Sequence, residues 1–199
     1  VIKSFGKFVP PKAGGFFIGM GLRATLVQLV DLYLLPVIQI ELDFETPFPE
    51  VKDIKLNLFG LASMSLPGGS ADSILDIKVA IGASFSLMKG DFIIGGALME
   101  GSGITLIPGT TLELSGGFAA FHQSGGGFVF TVGGYGTILT PEPNWPVVDP
   151  ITLKLKLSDE VEMKFAFYYA ITPSCMVAGF DISGTAKFSE GNFSIGASF

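Results

Sequence analysis

The sequence predicts an all-β protein, an antiparallel meander or sandwich of roughly a dozen strands. Apolar and polar residues alternate with period two along much of the chain, and short turns rich in Gly, Pro, Ser and Asp separate the alternating segments. The chain also contains 27 glycines and 19 phenylalanines among 199 residues. Alternation of this kind is typical of strands, because successive side chains point to opposite faces of a sheet.

The alternation is clearest in the last third of the chain. Odd positions are apolar and even positions polar over residues 151–157, and the pattern resumes at Val161 after the turn at 158–160. A second hairpin is predicted over 180–199, with its turn at 189–192. Upstream, residues 75–87 and 38–45 alternate in the same way, so we expect strands there too.

One segment fits two structures. In 22–35 the apolar residues lie at Leu22, Leu26, Leu29, Val30 and Tyr33, a spacing that fits one face of a helix. The β-branched and aromatic neighbours suit a bulged strand equally well. We therefore expect either a strand or one short helix in this segment.

A proline-rich segment is the best candidate for a boundary within the chain. Prolines 141, 143, 146 and 150 cannot donate to a β-ladder, so 141–150 is predicted to be a stiff surface connector. We expect an N-terminal β region at 1–140 and C-terminal hairpins at 151–199, in one continuous β module. Trp145 is expected to anchor the connector with its ring buried and its indole N–H bonded to an acceptor.

Composition restricts the function. Hydrophobic residues make up 48% and charged residues 15% of the chain, and the mean hydropathy is +0.56. Such a surplus of apolar surface predicts self-association, the rest of a longer parent chain, a lipid or an apolar ligand as partner. The net charge is −6 and the 12 basic residues are scattered, which excludes nucleic acid. The single cysteine, Cys175, lies in an apolar segment and is expected to be buried.

A glycine motif at 19–24 resembles a dinucleotide-binding loop. Gly19 and Gly21 follow an apolar stretch, and Glu41 and Asp43 lie near the distance of a ribose-binding acid. The βαβ units that such a fold needs are missing downstream, so these glycines are interpreted as strand or bulge residues.

No catalytic, metal or cofactor site is predicted. His122 is the only histidine and is expected in a solvated turn, so a His/Cys metal site cannot form. The carboxylate pairs are Asp43 with Glu45, and 159–160 with Glu162. Glu160 and Glu162 flank a predicted hairpin turn, where charges are usually solvated, and structural charges outnumber catalytic ones. We therefore expect that the protein is not an enzyme and uses no cofactor.

The leading hypothesis is a structural or self-assembling β-sheet module with apolar packing faces. The alternatives are an apolar-ligand or lipid-binding protein and an outer-membrane-type β-barrel, the last suggested by the alternating, Phe-ended segment 193–199. The residues expected to make packing or ligand contacts are the aromatic side chains of the central and C-terminal strands and the connector, namely Phe118, Phe121, Phe128, Phe130, Trp145, Phe165 and Phe167.

Several stretches resemble one family. Residues 58–63, 127–135, 143–148 and 166–179 together resemble the large β-rich proteins catalogued as domain of unknown function 6603. Gly136 departs from the resemblance, which implies a polar or basic residue there. The resemblance implies a chain that continues past Phe199, and it implies no catalytic residue and no assigned activity.

Overall fold

The alternating segments of the sequence form strands, and the turn-rich segments join them. A computed structural model of the protein describes residues 14–27, 29–45, 47–67, 73–107, 110–158, 160–188 and 191–198. These residues contain no helix, and therefore no helix long and apolar enough to cross a membrane. The strands β1 to β13 are, in chain order, Gly15–Gly19, Leu22–Leu26, Val30–Asp43, Glu50–Leu66, Leu75–Ser86, Phe92–Leu98, Gly103–Ile107, Thr110–Gln123, Gly127–Val132, Ile151–Lys156, Val161–Ile171, Met176–Phe188 and Gly191–Ser198.

All the strands belong to one antiparallel sheet, so the all-β prediction is confirmed and the chain forms a meander. The main path is β1-β3-β4-β5-β6-β8-β10-β11-β12-β13. The strands β2, β7 and β9 lie off this path, where β2 pairs with β3, β7 with β5 and β8, and β9 with β8 and β11. No pairing joins β1 to β13 within the described residues, so the path has two ends.

Three rows of the sheet are shared by two short strands. β1 and β2 both pair with β3, at residues 37–41 and 30–34 respectively. β6 and β7 share the row between β5 and β8, and β9 and β10 share the row between β8 and β11. The loop at 133–150, which contains the proline-rich connector, therefore leaves a row at the end of β9 and returns to the same row at the start of β10.

The helix considered for 22–35 is wrong. This segment forms β2 and the first part of β3, with Val27 at a φ of 53° in the turn between them. Leu22 lies opposite Leu34, and Leu26 lies opposite Val30. These apolar positions are four residues apart, and a spacing of four places residues on one face of a strand as well as on one face of a helix.

The connector is confirmed as a segment without strand. β9 ends at Val132 and β10 begins at Ile151, so residues 141–150 lie in neither strand. The backbone N–H of Trp145 donates to Glu142 O at 3.0 Å, which forms a tight turn inside the connector. The connector folds onto a small buried cluster of Val129, Tyr135, Trp145 and Ala170.

Candidate interaction surface

The register of the strands gives the sheet one apolar face and one polar face. Residues directly opposite each other in an antiparallel ladder point to the same side. The row through Ile38 runs to Leu56, Phe85 and Phe92, and the row through Leu153 runs to Phe165 and Ile182. We call this side the apolar face. No Asp, Glu, Lys or Arg occupies a paired position on it among the described residues.

The apolar face is exposed along the whole sheet. Phe167 and Phe180 lie opposite each other on β11 and β12 and are 46% and 44% exposed. A monomer ordinarily covers its large apolar side chains, so this face is the main unusual feature of the surface. Other exposed large residues on this face are Phe16, Ile18, Leu22, Leu26, Ile38, Leu56, Leu58, Ile81, Phe85, Phe128, Leu153, Phe193 and Ile195.

An aromatic cluster lies on the apolar face across β5, β6, β8 and β9. The ring of Phe92 contacts Phe85 at 5.9 Å, His122 at 5.7 Å and Phe128 at 6.4 Å between centroids. Tilted pairs at these distances are favourable for aromatic rings. The prediction of a solvated turn for His122 is wrong, because this residue lies in β8 with its ring against Phe92.

A shallow apolar cavity lies on the C-terminal half of the same face. Its volume is about 200 Å³ and its lining includes Phe165 and Phe167 of β11. The opposite strands contribute Leu153 and Phe180. Ligand pockets are usually about 300–1,000 Å³, so this cavity fits only a small apolar group.

The polar face contains a buried row across β3, β4 and β5. Lys55 Nζ lies 2.7 Å from Glu41 Oε1, and Ser86 Oγ donates to the fully buried Asp53 at 2.8 Å. Gln39 and Asn57 are each 2% exposed, and Gln39 Oε1 and both amide atoms of Asn57 have no hydrogen-bond partner in the described residues. In these strands the polar side of the sheet is therefore more enclosed than the apolar side.

A second part of the polar face forms a charged cavity of about 780 Å³. At its wall Lys154 Nζ lies 3.0 Å from Glu162 Oε2 and 3.8 Å from Glu113 Oε2. Asp76 also lines the cavity, and hydroxyl groups of Ser65 and Ser73 donate to it, which holds the pKa of this carboxyl below its ordinary value of 3.8. A carboxyl held ionised in this way is poorly suited to proton transfer near neutral pH.

The connector covers the other end of the polar face. The Trp145 ring is 8% exposed and packs on Tyr135, with centroids 5.8 Å apart, so the predicted burial is confirmed. The Tyr135 hydroxyl donates to Pro146 O at 2.8 Å, and burial raises the Tyr135 pKa to about 12. The prediction that the indole N–H finds an acceptor is wrong within the described residues, where this buried donor has no hydrogen-bond partner.

Gly136 has a structural reason to be glycine. Its φ is +65°, and a Cβ at this position would lie 2.2 Å from a ring carbon of Tyr168. The polar or basic residue that the family resemblance implies here would clash with that ring. The close approach of backbone to ring lets the chain turn directly over β11.

The structure separates the seven predicted contact residues into two groups. Phe118, Phe128, Phe130, Phe165 and Phe167 lie on the apolar face. Phe121 and Trp145 lie on the polar face, where Phe121 packs against the cluster beneath the connector. Phe85, Phe92 and Phe180 belong with the first group. Alternation in a predicted strand identifies Phe85 and Phe180, whereas Phe92 is followed by two isoleucines and carries no such signal.

The structure also tests the predictions made for Cys175 and for the glycine motif at 19–24. The prediction that Cys175 is buried is wrong, because it lies exposed in the turn after Thr172, where its backbone N–H donates to the Thr172 hydroxyl at 3.1 Å. Gly19 ends β1, which pairs antiparallel with β3, so the glycine motif does not open a helix. Gly21 follows Met20 between β1 and β2.

The described residues do not form a metal-binding group of three or more His, Cys, Asp or Glu. Of the carboxylate pairs, Asp43 accepts from the Glu45 backbone N–H at 3.0 Å and from Lys52 Nζ at 3.0 Å, which lowers its pKa. Glu162 is paired with Lys154, and residue 159 lies outside the described residues. These carboxylates bind neighbouring groups of the protein itself.

Comparison with known proteins places the chain by sequence. Searches of curated proteins and of solved structures gave no match. A family model described as a family of unknown function, DUF6603, matches residues 1–199. The chain therefore belongs to the DUF6603 family.

Proposed function

We propose that this chain is a non-enzymatic structural module that works by packing its apolar face against another apolar sheet, in the first instance a second copy of itself. The observation that supports the proposal is the exposure of large apolar side chains on a face that carries no Asp, Glu, Lys or Arg at its paired positions in the described strands. Two such faces stacked about 10 Å apart would interdigitate as the layers of a β-sandwich do.

The surface area of the chain is consistent with a missing partner. It exposes 12779 Å², whereas a compact monomer of 21.0 kDa exposes about 9,000 Å². The difference exceeds the roughly 1,600 Å² that a standard protein interface buries. A partner on the apolar face would therefore bring the exposed surface toward that of a compact protein.

The distribution of charge favours face-to-face packing. Charged residues in paired strand positions lie on the polar face, as Glu41, Lys55, Glu113, Lys154 and Glu162 do. Stacking two apolar faces brings none of these charges into the new contact, and so adds no cost of desolvating them. The net charge of −6 then keeps the outside of the assembly soluble.

A charge placed on the apolar face tests the proposal. In Phe167→Glu the new carboxylate would have to be buried by association, so the associated state should be lost while the monomer stays folded. The matched control is Ser183→Glu on the exposed polar face of β12. Multi-angle light scattering should show association for the unaltered chain and the control. A monomeric unaltered chain, or equal association of both variants, would contradict the proposal.

Binding of an apolar ligand is a second candidate, supported by the cavity lined by Phe165, Phe167 and Phe180. Its volume of about 200 Å³ suits the end of one acyl chain or another small apolar group. Native mass spectrometry and organic extraction of the purified protein test it. A bound lipid would support it, its absence would contradict it, and protein that needs detergent to stay in solution would favour the membrane alternative instead.

A further inference from the structure

We infer that His122 makes the contact through the apolar face sensitive to pH. The face associates while this imidazole is neutral, and the contact is released when the imidazole is protonated. The inference rests on the proposed function, because it concerns control of the same face. It assigns that control to the single histidine of the chain.

His122 lies in a row of apolar side chains that crosses the apolar face. It is opposite Phe92 of β6 on one side and opposite Phe128 of β9 on the other. The same row continues from Phe92 through Phe85 to Leu56. Because no Asp, Glu, Lys or Arg occupies a paired position on this face in the described strands, a protonated His122 places a full charge among apolar neighbours.

Two phenylalanine rings flank the imidazole. β8 lies between β6 and β9, so the backbones of Phe92 and Phe128 are two strand spacings apart, about 9.6 Å. Their ring centroids are only 6.4 Å apart, so the two rings lean toward each other across β8. The centroid of the His122 ring is 5.7 Å from that of Phe92. His122 is therefore half-buried in an aromatic setting on a face that is otherwise exposed.

Charged side chains near this end of the strands belong to the turn before β6. Asp91 of that turn accepts from the Ser124 backbone N–H at 2.7 Å, and Lys89 of the same turn is exposed. The turns at 123–127 and 172–175 contain no Asp, Glu, Lys or Arg. On an uncovered sheet, water and the faces of the two phenylalanine rings are therefore the groups that solvate an imidazolium at this position.

Covering the apolar face removes the water from this position. Burial without an opposite charge disfavours the charged form of a histidine far more than its neutral form. The associated state therefore binds fewer protons than the free chain, and its stability decreases as the pH falls through the range in which histidine titrates. The opposite trend is expected from net charge alone, since the chain approaches its isoelectric point of about 4.7 and repels other copies less.

Sedimentation velocity over a dilution series tests the inference, at about pH 7.5 and about pH 5.5 and at constant ionic strength. The dissociation constant of the unaltered chain should be about tenfold or more larger at the lower pH, because each copy contributes one histidine that must lose its proton. His122→Phe keeps an aromatic ring without the ionisable group, so its dissociation constant should change less than about twofold. His122→Leu repeats this test with a side chain of different shape.

A permanent charge at the same position gives the complementary test. His122→Lys should associate weakly at both pH values, as the protonated histidine does. The matched control is Gln123→Lys, at the next residue of β8, whose side chain lies on the polar face and accepts from Asn144 Nδ2 at 3.0 Å. This control should associate like the unaltered chain. A dissociation constant of the unaltered chain that does not rise at low pH, or a rise that persists in His122→Phe and His122→Leu, would overturn the inference.

The two proposals fail in different ways. If the chain associates equally at both pH values and Phe167→Glu abolishes association, control by His122 is wrong and the face contact stands. If association weakens at low pH through His122 while Phe167→Glu associates normally, control by His122 stands and packing of the whole face is wrong. A folded chain that remains monomeric at both pH values contradicts both.

Discussion

Trp145 is the residue that fixes the connector, and its stabilisation comes from packing alone. The ring is buried against Tyr135, while its N–H has no acceptor in the described residues. Trp145→Ala should therefore cost about 3 kcal/mol in the free energy of unfolding. Trp145→Phe should cost clearly less, because it keeps an aromatic ring and removes an unpaired donor. Urea denaturation measures both, and equal losses would show that the N–H contributes.

Tyr135 should make stability depend on alkaline pH. Burial raises its pKa from 10.0 to about 12, so the folded state favours the neutral phenol. Its contribution is complete below pH 10 and is lost as the pH rises toward 12. Tyr135→Phe should cost about 1 kcal/mol at neutral pH through the lost bond to Pro146 O.

Thermal unfolding between pH 9 and 12 measures the difference between the two proteins. That difference should shrink as the pH rises, because only the unaltered chain loses stability through this phenol. A difference that stays constant over this range would contradict the assigned shift.

At single positions the sequence predicts the burial of Trp145, but neither its hydrogen bonding nor the exposure of Cys175. Proline neighbours and bulk are enough to predict a buried Trp145, yet the acceptor predicted for its indole N–H is absent in the described residues. Cys175 shows the reverse problem. Its apolar neighbours suggest burial, but the turn set by Thr172 directs the residue outward. The composition of the neighbouring segment predicts neither the unpaired indole N–H of Trp145 nor the exposed position of Cys175.

Among the structural elements, the loop at 133–150, which contains the connector, depends on one glycine. A side chain at Gly136 would need a φ of +65° and would meet the Tyr168 ring. Gly136→Ala should therefore destabilise the protein by roughly 1 kcal/mol or more. Hydrogen exchange should locate the loss in residues 133–150 and the adjoining part of β11.

Gly125 provides the matched control for this prediction. It has a φ of +83°, and a Cβ added there would have no atom within 4 Å, so Gly125→Ala tests backbone strain without the clash. Similar losses of stability in the two variants would show that contact with Tyr168 is unimportant.

Some sequence patterns determine the secondary structure of a segment and others do not. Strands with strict alternation, such as β5 and β10, are predictable because no helix accommodates period two. The segment 22–35 is not predictable in this way. Apolar residues spaced four apart lie on one face of a strand and also on one face of a helix. The pairing of Leu22 with Leu34 decides it, and that contact depends on the turn at Val27. Turn geometry at a non-glycine residue is not visible in the pattern.

At the scale of the whole molecule, the alternation identifies two faces and leaves open which of them is enclosed. The pattern predicts apolar packing contacts at the odd positions of β10 and β11, and Phe167 is instead exposed. Polar residues such as Gln39 and Asn57 are buried on the other side. The exposure of the apolar face is the physical reason to infer a partner. Removing that face from water by association would contribute a favourable hydrophobic free energy.

The most direct measurement is covalent footprinting of side chains across a range of protein concentration, read by mass spectrometry. If the apolar face packs on a second copy, labelling of Leu56, Phe128 and Phe167 should fall as the associated form replaces the monomer. Labelling of exposed polar-face residues such as Ser183 should stay constant. If the chain associates while the apolar face remains fully labelled, or if that face is equally protected at every dilution, packing of two apolar faces is contradicted.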